Sequence, residues 1–267
     1  MNKQALIESI RRKKSFLCIG LDSDFSKLPP HLQGLPDAQF EFNKQIIDAT
    51  REYCVCYKPN AAFYESQGAK GWETLEKTVA YIGDSHFVLM DAKRGDIGNT
   101  AEQYAKAFFE NMNCDAVTLS PYIGGDAIKP FTKYQDKFAV ILALTSNESA
   151  AEFQISKSEK EISLFERVVA ASYKWGNDDS IMFVVGATKT AYLQQIRKLA
   201  PLHFLLVPGV GTQGGSLAEV AHYGMNNSVG LLVNVSRQII FASEGTDFAT
   251  KAAEVAKNYQ QQMAAYL

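Results

Sequence analysis

A cluster of charged residues near the middle of the chain has the composition of a catalytic site. Asp91 and Lys93 lie two positions apart at the end of an apolar run, and Asp96 follows in the next turn. Because side chains alternate along an extended strand, the first two are predicted to project from the same side. Such a pair can be a structural ion pair, but buried charges are costly and contribute little net stability, so we favour catalysis.

Other polar residues are expected to share this site. Asp22 and Lys58 each follow a different apolar run, as Asp91 does. Histidine is scarce and lies away from these motifs, so we assign general acid–base chemistry to lysine and aspartate. No cluster has the spacing of a metal site, and we predict that no metal is bound. The histidines are His31, His86, His203 and His222.

A glycine-rich segment late in the chain predicts an anion site. Gly209, Gly211 and Gly214 are closely spaced, and Ser236 and Arg237 follow the next apolar run. Glycines allow backbone N–H groups to approach a phosphate, and an arginine adds a bidentate partner. The alternative is a tight turn with a solvated arginine. The segment also matches a GxGxxG pattern, but a dinucleotide fingerprint belongs at an early strand-to-helix turn, so we disfavour a nicotinamide cofactor.

Eight short apolar runs predict the strands that position these residues. They are nearly continuous rather than alternating, which is typical of parallel strands covered by helices on both faces. Helical spacing separates them, and an apolar stripe from Phe248 to Met263 predicts a terminal helix. The runs begin near Phe16, Cys54, His86, Ala116, Phe138, Ile181, His203 and Ser228.

The eight strand-and-helix units predict a (β/α)₈ TIM barrel that spans residues 1–267 as a single domain. A doubly wound open sheet has the same local pattern and is the rival fold. In a barrel the polar residues after each strand meet at one face, where active sites are built. The polar segment from Thr145 to about Lys160 is expected to be a long loop on that face.

The overall composition excludes several classes of protein. The 267 residues include 27 Lys plus Arg and 29 Asp plus Glu, which gives a net charge of −2. This balance argues against nucleic acid as a partner. The longest apolar runs have seven residues, too few to cross a membrane.

Cysteine usage and the first residues of the chain predict a cytoplasmic protein. Cys18, Cys54, Cys56 and Cys114 have neither zinc nor CxxC redox spacing, so we expect reduced structural thiols. The basic run from Arg11 to Lys14 follows too short an apolar stretch to form a signal peptide. It is expected to occupy the last turn of a first helix.

The segment from Asp91 to Thr100 resembles the D-x-K-R-x-D-I-x-x-T motif of the orotidine 5′-monophosphate decarboxylase family. The similarity extends across the chain in order and spacing. The Lys58 to Phe63 run and the long loops resemble the longer bacterial form of that family. The other matching segments are 20–22, 58–60, 120–122, the loop around Gln213, and Arg237.

This resemblance implies a decarboxylase that converts orotidine 5′-monophosphate to UMP and carbon dioxide, the last step of pyrimidine nucleotide synthesis. It implies catalysis without cofactor or metal, by a homodimer of barrels whose active sites lie at the interface. Lys93 would be the cation and proton donor at C6 of the pyrimidine, flanked by Asp91. Asp96 and Thr100 would belong to the partner subunit's site.

The resemblance also implies roles in substrate binding. Asp22 and Lys58 would contact the ribose hydroxyls, and Ser120 would contact the pyrimidine. Gln213 and Arg237 would bind the phosphate. Asn60 carries no assigned role.

Two other functions remain compatible with parts of the pattern. A magnesium-dependent barrel enzyme acting on sugar phosphates uses a related D-x-K-x-x-D strand end. A non-catalytic phosphate-binding barrel would need the glycine-rich loop but not Asp91, Lys93 and Asp96.

Overall fold

Eight parallel strands close into a barrel in which β8 pairs with β1. The computed structural model describes residues 1–188, 190–211 and 214–267. Closure confirms the predicted (β/α)₈ barrel and excludes the doubly wound open sheet. The strands are β1 (Leu17–Leu21), β2 (Cys56–Pro59), β3 (Phe87–Arg94), β4 (Ala116–Leu119), β5 (Phe138–Leu144), β6 (Ile181–Val185), β7 (Phe204–Pro208) and β8 (Leu231–Val235).

The predicted strand starts agree with the structure to within three residues. The largest difference is at β8, which was expected near Ser228 and begins at Leu231. Asn226 and Val229 pair across a tight turn there, and Val229 and Gly230 have φ angles of 69° and 65°. A strand cannot continue through left-handed residues, so β8 starts after the turn.

Helices surround the barrel and cover its outer face. Arg11, Arg12 and Lys13 lie in the last turn of the first helix, as predicted, where cations interact favourably with the helix dipole. The helices are α1 (Lys3–Lys13), α2 (Pro30–Gln33), α3 (Ala38–Thr50), α4 (Ala62–Glu65), α5 (Gly68–Ile82), α6 (Gly98–Lys106), α7 (Lys129–Thr132), α8 (Ala150–Phe153), α9 (Leu164–Ser172), α10 (Thr190–Leu199), α11 (Leu217–Gly224), α12 (Arg237–Ile240) and α13 (Phe248–Ala264).

The strands are buried on both faces, as their continuous apolar sequences predicted. Every residue of β1, β6 and β8 is buried. The four cysteines are buried free thiols, which agrees with their expected structural role. Among the helices in the described ranges, none is long and apolar enough to cross a membrane.

The segment predicted as a long loop after β5 is partly ordered into secondary structure. It contains α8, and a short antiparallel bridge joins Lys157 to Ser163. Ser163 and Glu166 then form a capping box that starts α9. The short length of α8 explains why its periodicity was not recognisable in the sequence.

His203 is a buried titratable group at the opposite end of the barrel from the strand carboxyl ends. It directly precedes β7, and its ring packs against Tyr173 and Phe183 at centroid distances of 5.1 and 5.2 Å. Neither ring nitrogen has a hydrogen-bond partner among the described residues. Burial lowers the pKa of His203 from 6.5 to about 4.

We predict that His203→Phe removes part of the acid sensitivity of folding. The imidazole binds a proton near pH 6.5 when unfolded but only near pH 4 when folded, so wild-type stability falls as pH drops through this window. As the pH falls through this window, the free energy of unfolding of the variant should rise relative to that of the wild type by at most about 1.4 kcal/mol per pH unit. Urea unfolding at pH 7, 5.5 and 4.5 measures the difference. A difference that is the same at all three values would contradict the prediction.

Candidate active site

Lys58 lies at the centre of a row of charged side chains at the ends of the first three strands. Its Nζ lies 2.7 Å from Asp91 Oδ2 and 3.6 Å from Asp22 Oδ1. Lys58 is in β2, Asp91 is in β3, and Asp22 directly follows β1, so adjacent strands bring these groups together at the same end of the barrel.

Lys93 extends this row toward solvent. Its Nζ lies 2.5 Å from Asp91 Oδ1, so Asp91 bridges two ammonium groups through its two oxygens. The Lys93 side chain is 52% exposed, whereas that of Lys58 is 4% exposed. We call Asp22, Lys58, Asp91 and Lys93 the charged chain. Its charges alternate in sign, and Lys93 is the member most accessible to a ligand.

Mutual attraction keeps the buried members of the charged chain ionised. Burial disfavours the charged form of Lys58, but Asp22 and Asp91 outweigh it and raise the pKa of Lys58 above its ordinary value. Burial likewise opposes ionisation of Asp91, and Lys58 and Lys93 hold the pKa of Asp91 well below its usual range. Lys58 therefore serves as a fixed cation rather than a general base.

The backbone of β3 is irregular at the charged chain. Met90 pairs with Val117 of β4, and the next paired residues are Arg94 and Leu119, so β3 has extra residues between these two pairs. Within this stretch Lys93 has a φ of 47°. The sequence predicted that regular alternation would put Asp91 and Lys93 on one side. The two side chains do meet, but they do so in a bulge rather than in a regular strand.

A cavity of about 150 Å³ joins the charged chain to the glycine-rich loop. Arg237 and the first residues of the loop after β7 line it together with Asp22, Lys58 and Asp91. Asn60, Pro208 and Asn234 also line it, although the sequence assigned them no role. The full lining is Asp22, Lys58, Asn60, Asp91, Pro208, Gly209, Val210, Asn234, Ser236 and Arg237.

The conformation of the loop after β7 requires glycine. Gly209, Gly211 and Gly214 have φ angles of 99°, 79° and 83°, in the region that favours residues without a Cβ. A Cβ on Gly211 would also come within 2.1 Å of Gln238 Oε1. The predicted phosphate-binding residue Gln213 lies outside the described residues.

Close contact between β1 and the segment after β8 completes the cavity wall. Ser236 Oγ donates a hydrogen bond to the carbonyl oxygen of Gly20 at 3.1 Å. A Cβ on Gly20 would lie 2.7 Å from Ser236 Cβ, so only glycine permits this approach. Arg237 follows directly and is exposed at the cavity.

Several predicted site residues in the described part of the chain do not line this cavity: Lys93, Asp96, Thr100, Ser120, Gly211 and Gly214. Asp96 Oδ1 accepts a hydrogen bond from the N–H of Ile97, and Thr100 is exposed in α6. Neither lines the cavity as the described residues form it. Ser120 lines a separate cavity of about 460 Å³, whose walls include Leu142 and Phe165.

In the described part of the chain, no three His, Cys, Asp or Glu side chains are arranged to hold a metal ion. The carboxylates of Asp22 and Asp91 instead face the ammonium of Lys58.

Comparison with known proteins assigns the family. Residues 15–252 match the model of the orotidine 5′-phosphate decarboxylase / HUMPS family. The chain belongs to this family. The match runs from just before β1 into α13, so it includes all eight strands and every residue of the charged chain.

Full-length relatives agree with this assignment. Orotidine 5′-phosphate decarboxylases of Parabacteroides distasonis and Bacteroides fragilis are 55% and 53% identical, over the whole of this chain and 96% and 98% of theirs. The solved Leishmania donovani OMP decarboxylase is 34% identical, with a TM-score of 0.82 over 99% of both chains. The predicted resemblance to bacterial members of the orotidine 5′-monophosphate decarboxylase family is confirmed.

We predict that the two lysines of the charged chain differ in their effect on stability. Lys58→Met should lower the free energy of unfolding by about 3 kcal/mol, because it leaves the largely buried carboxylates of Asp22 and Asp91 without their central cation. Lys93→Met, the matched substitution at a half-exposed lysine, should cost about 1 kcal/mol or less. Urea unfolding without ligand measures both. If both variants lost the same free energy of unfolding, the greater contribution of the buried Lys58 to stability would be contradicted.

Proposed function

We propose that this protein decarboxylates orotidine 5′-monophosphate to UMP and carbon dioxide, the last step of pyrimidine nucleotide synthesis, using neither cofactor nor metal. The supporting observation is that Asp22, Lys58, Asp91 and Arg237 line one cavity and that Asp91 holds the ammonium of Lys93 beside it, in a member of the decarboxylase family. The buried free thiols support a cytoplasmic location.

Lys93 is the proposed proton donor. When the bond between C6 and the carboxylate carbon breaks, carbon dioxide departs and the electron pair remains on C6 as a vinylic carbanion. An ammonium fixed at that carbon stabilises the developing charge and then transfers a proton to it. Lys93 suits this role because its ammonium is held 2.5 Å from Asp91 while half of its side chain stays accessible.

Asp91 is proposed to act on both Lys93 and the substrate. Its carboxylate orients Lys93 by accepting a hydrogen bond from the Lys93 ammonium at 2.5 Å. It also faces the position of the substrate carboxylate. Two unit charges about 4 Å apart interact by roughly 4 kcal/mol at an effective dielectric constant near 20, and departure of carbon dioxide relieves this repulsion.

Asp22 and Lys58 are proposed to bind the ribose hydroxyls. Asp22 Oδ1 is buried and accepts no hydrogen bond from the described residues, although Lys58 lies 3.6 Å away. Buried acceptors are normally satisfied, so a hydroxyl from the substrate suits this oxygen. The Lys58 ammonium has three N–H donors and uses one of them for Asp91 at 2.7 Å.

Gln213, Arg237, Ser236 and the loop glycines are proposed to bind the phosphate. Arg237, Ser236 and Gly209 line the same cavity as Asp91. Since the phosphate does not react, its binding energy is free to hold the pyrimidine against Lys93. Ser120 remains a proposed pyrimidine contact, although it lines a separate cavity.

A homodimer is proposed, with Asp96 and Thr100 completing the partner subunit's site. Neither residue lines the cavity of its own chain as the described residues form it. Exposed apolar side chains lie on the adjacent segments after β3 and β4, where a second copy would cover them. They are Ile97, Tyr122 and Ile123, with exposed fractions of 54%, 85% and 51%.

The proposed reaction is tested by incubating the purified protein with orotidine 5′-monophosphate and EDTA and identifying products by mass spectrometry. We expect UMP and carbon dioxide from the wild type, and a rate at least about 10⁴-fold lower from Lys93→Ala, which loses both the cation and the proton donor. A folded wild type that forms no UMP would contradict the proposal. Turnover of sugar phosphates only after magnesium is restored would favour the alternative barrel enzyme.

The proposed dimer predicts recovery of activity from two inactive variants. Mixing Lys93→Ala with Asp96→Ala subunits should restore up to about a quarter of wild-type activity per site, because half of the random dimers are mixed and each has one intact site. Each variant exchanged with itself is the control. No recovery, with heterodimers demonstrated by native mass spectrometry, would place Asp96 in its own subunit's site.

A further inference from the structure

Thr118 in β4 lies against the bulge of β3 that carries the charged chain. Its Oγ1 accepts hydrogen bonds from the N–H groups of Ala92 and Lys93, both at 2.9 Å. It donates one to Asp91 Oδ1 at 3.1 Å. The residue is 1% exposed and was not recognised from the sequence as part of the site.

We propose that Thr118 is the positioning residue that holds Asp91 and Lys93 in their working arrangement. This inference rests on the proposed decarboxylase function and adds a residue that does not contact the reacting atoms. A hydroxyl has one hydrogen and two lone pairs, and the three bonds use all of them. With both lone pairs facing N–H groups, the hydroxyl hydrogen must point at the carboxylate of Asp91.

The register of the sheet explains why a side chain is needed here. Residues 91–93 of β3 lie opposite Thr118 alone, because pairing resumes only at Arg94 and Leu119. The amides of Ala92 and Lys93 thus lose the regular ladder of the parallel sheet. Each backbone N–H is a strong donor that needs an acceptor, and the Thr118 hydroxyl supplies one for both.

The same hydroxyl supports the unusual backbone of Lys93. A φ of 47° costs a residue with a Cβ about 1–2 kcal/mol, so it persists only where its surroundings enforce it. The bond from the Lys93 N–H to Thr118 is such a constraint. Because the lysine side chain starts from this Cα, a change in φ would move its ammonium away from the position set by Asp91.

The test compares Thr118→Val, which keeps the shape but loses the hydroxyl, with Thr118→Ser, which keeps the hydroxyl. We expect Thr118→Val to lower kcat for orotidine 5′-monophosphate 10- to 100-fold while KM changes less than 3-fold. Thr118→Ser should keep kcat within 3-fold. A kcat unchanged in Thr118→Val, or lost equally in Thr118→Ser, would overturn the proposal.

Thr50→Val is a matched control for losing a buried threonine hydroxyl. Thr50 lies in α3, and its Oγ1 bonds to the carbonyl oxygen of Ile46 at 2.6 Å and to Tyr57 Oη at 2.8 Å, outside the cavity. We expect a lower melting temperature with kcat unchanged. Should Thr50→Val lower kcat as much as Thr118→Val, the effect would be one of general stability and the proposal would fail.

A readout independent of turnover separates this inference from the proposed function. A crystal structure of Thr118→Val, or of Thr118→Ala if the valine variant does not fold, should show Lys93 at negative φ and its Nζ more than 3.5 Å from Asp91. Unchanged Lys93 geometry would overturn the role of Thr118. Absence of turnover by the wild type would contradict the proposed function instead, while the crystallographic comparison would still test Thr118.

Discussion

The sharing of one carboxylate by two ammonium groups is the interaction on which the architecture of this site depends. Asp91 contacts Lys58 through one oxygen and Lys93 through the other. A buried carboxylate would be expensive alone, and so would a buried lysine. Together with Asp22 they are tolerated, provided that the ends of β1, β2 and β3 stay within a few ångströms of one another. A closed barrel enforces that proximity, because each strand is fixed by two neighbours.

Closure also determines what faces the charged chain. The pairing of β8 with β1 places the last strand beside the first, so Arg237 and Asp22, which are 215 positions apart in sequence, line the same cavity. The contact between Gly20 and Ser236 occurs at this seam. The barrel therefore brings paired charges, the glycine-rich loop after β7 and the guanidinium of Arg237 to one cavity.

Much of this arrangement was predictable because it depends on strong, periodic signals. Buried parallel strands leave continuous apolar runs, and polar residues directly after them stand out, which is why Asp22, Lys58, Asp91 and Lys93 were recognised as one site. Thr118 was missed because a threonine within a β-strand is ordinary in sequence. The bulge was missed because register depends on pairing with β4 rather than on β3 alone. Asn60 and Asn234 likewise gain meaning only from the cavity they line.

The alternating signs of the charged chain have a consequence for how the site would return to its starting state. Two carboxylates and two ammonium groups sum to zero before reaction. In the proposed reaction, a neutral gas leaves and the negative charge merely moves from the carboxylate to the ring, so bond cleavage changes no net charge in the cavity. Proton donation by Lys93 would then leave the array one unit negative beside a bound product. That imbalance attracts a proton from water to the only half-exposed amine of the array, and the enzyme would thereby recharge itself without a dedicated proton relay.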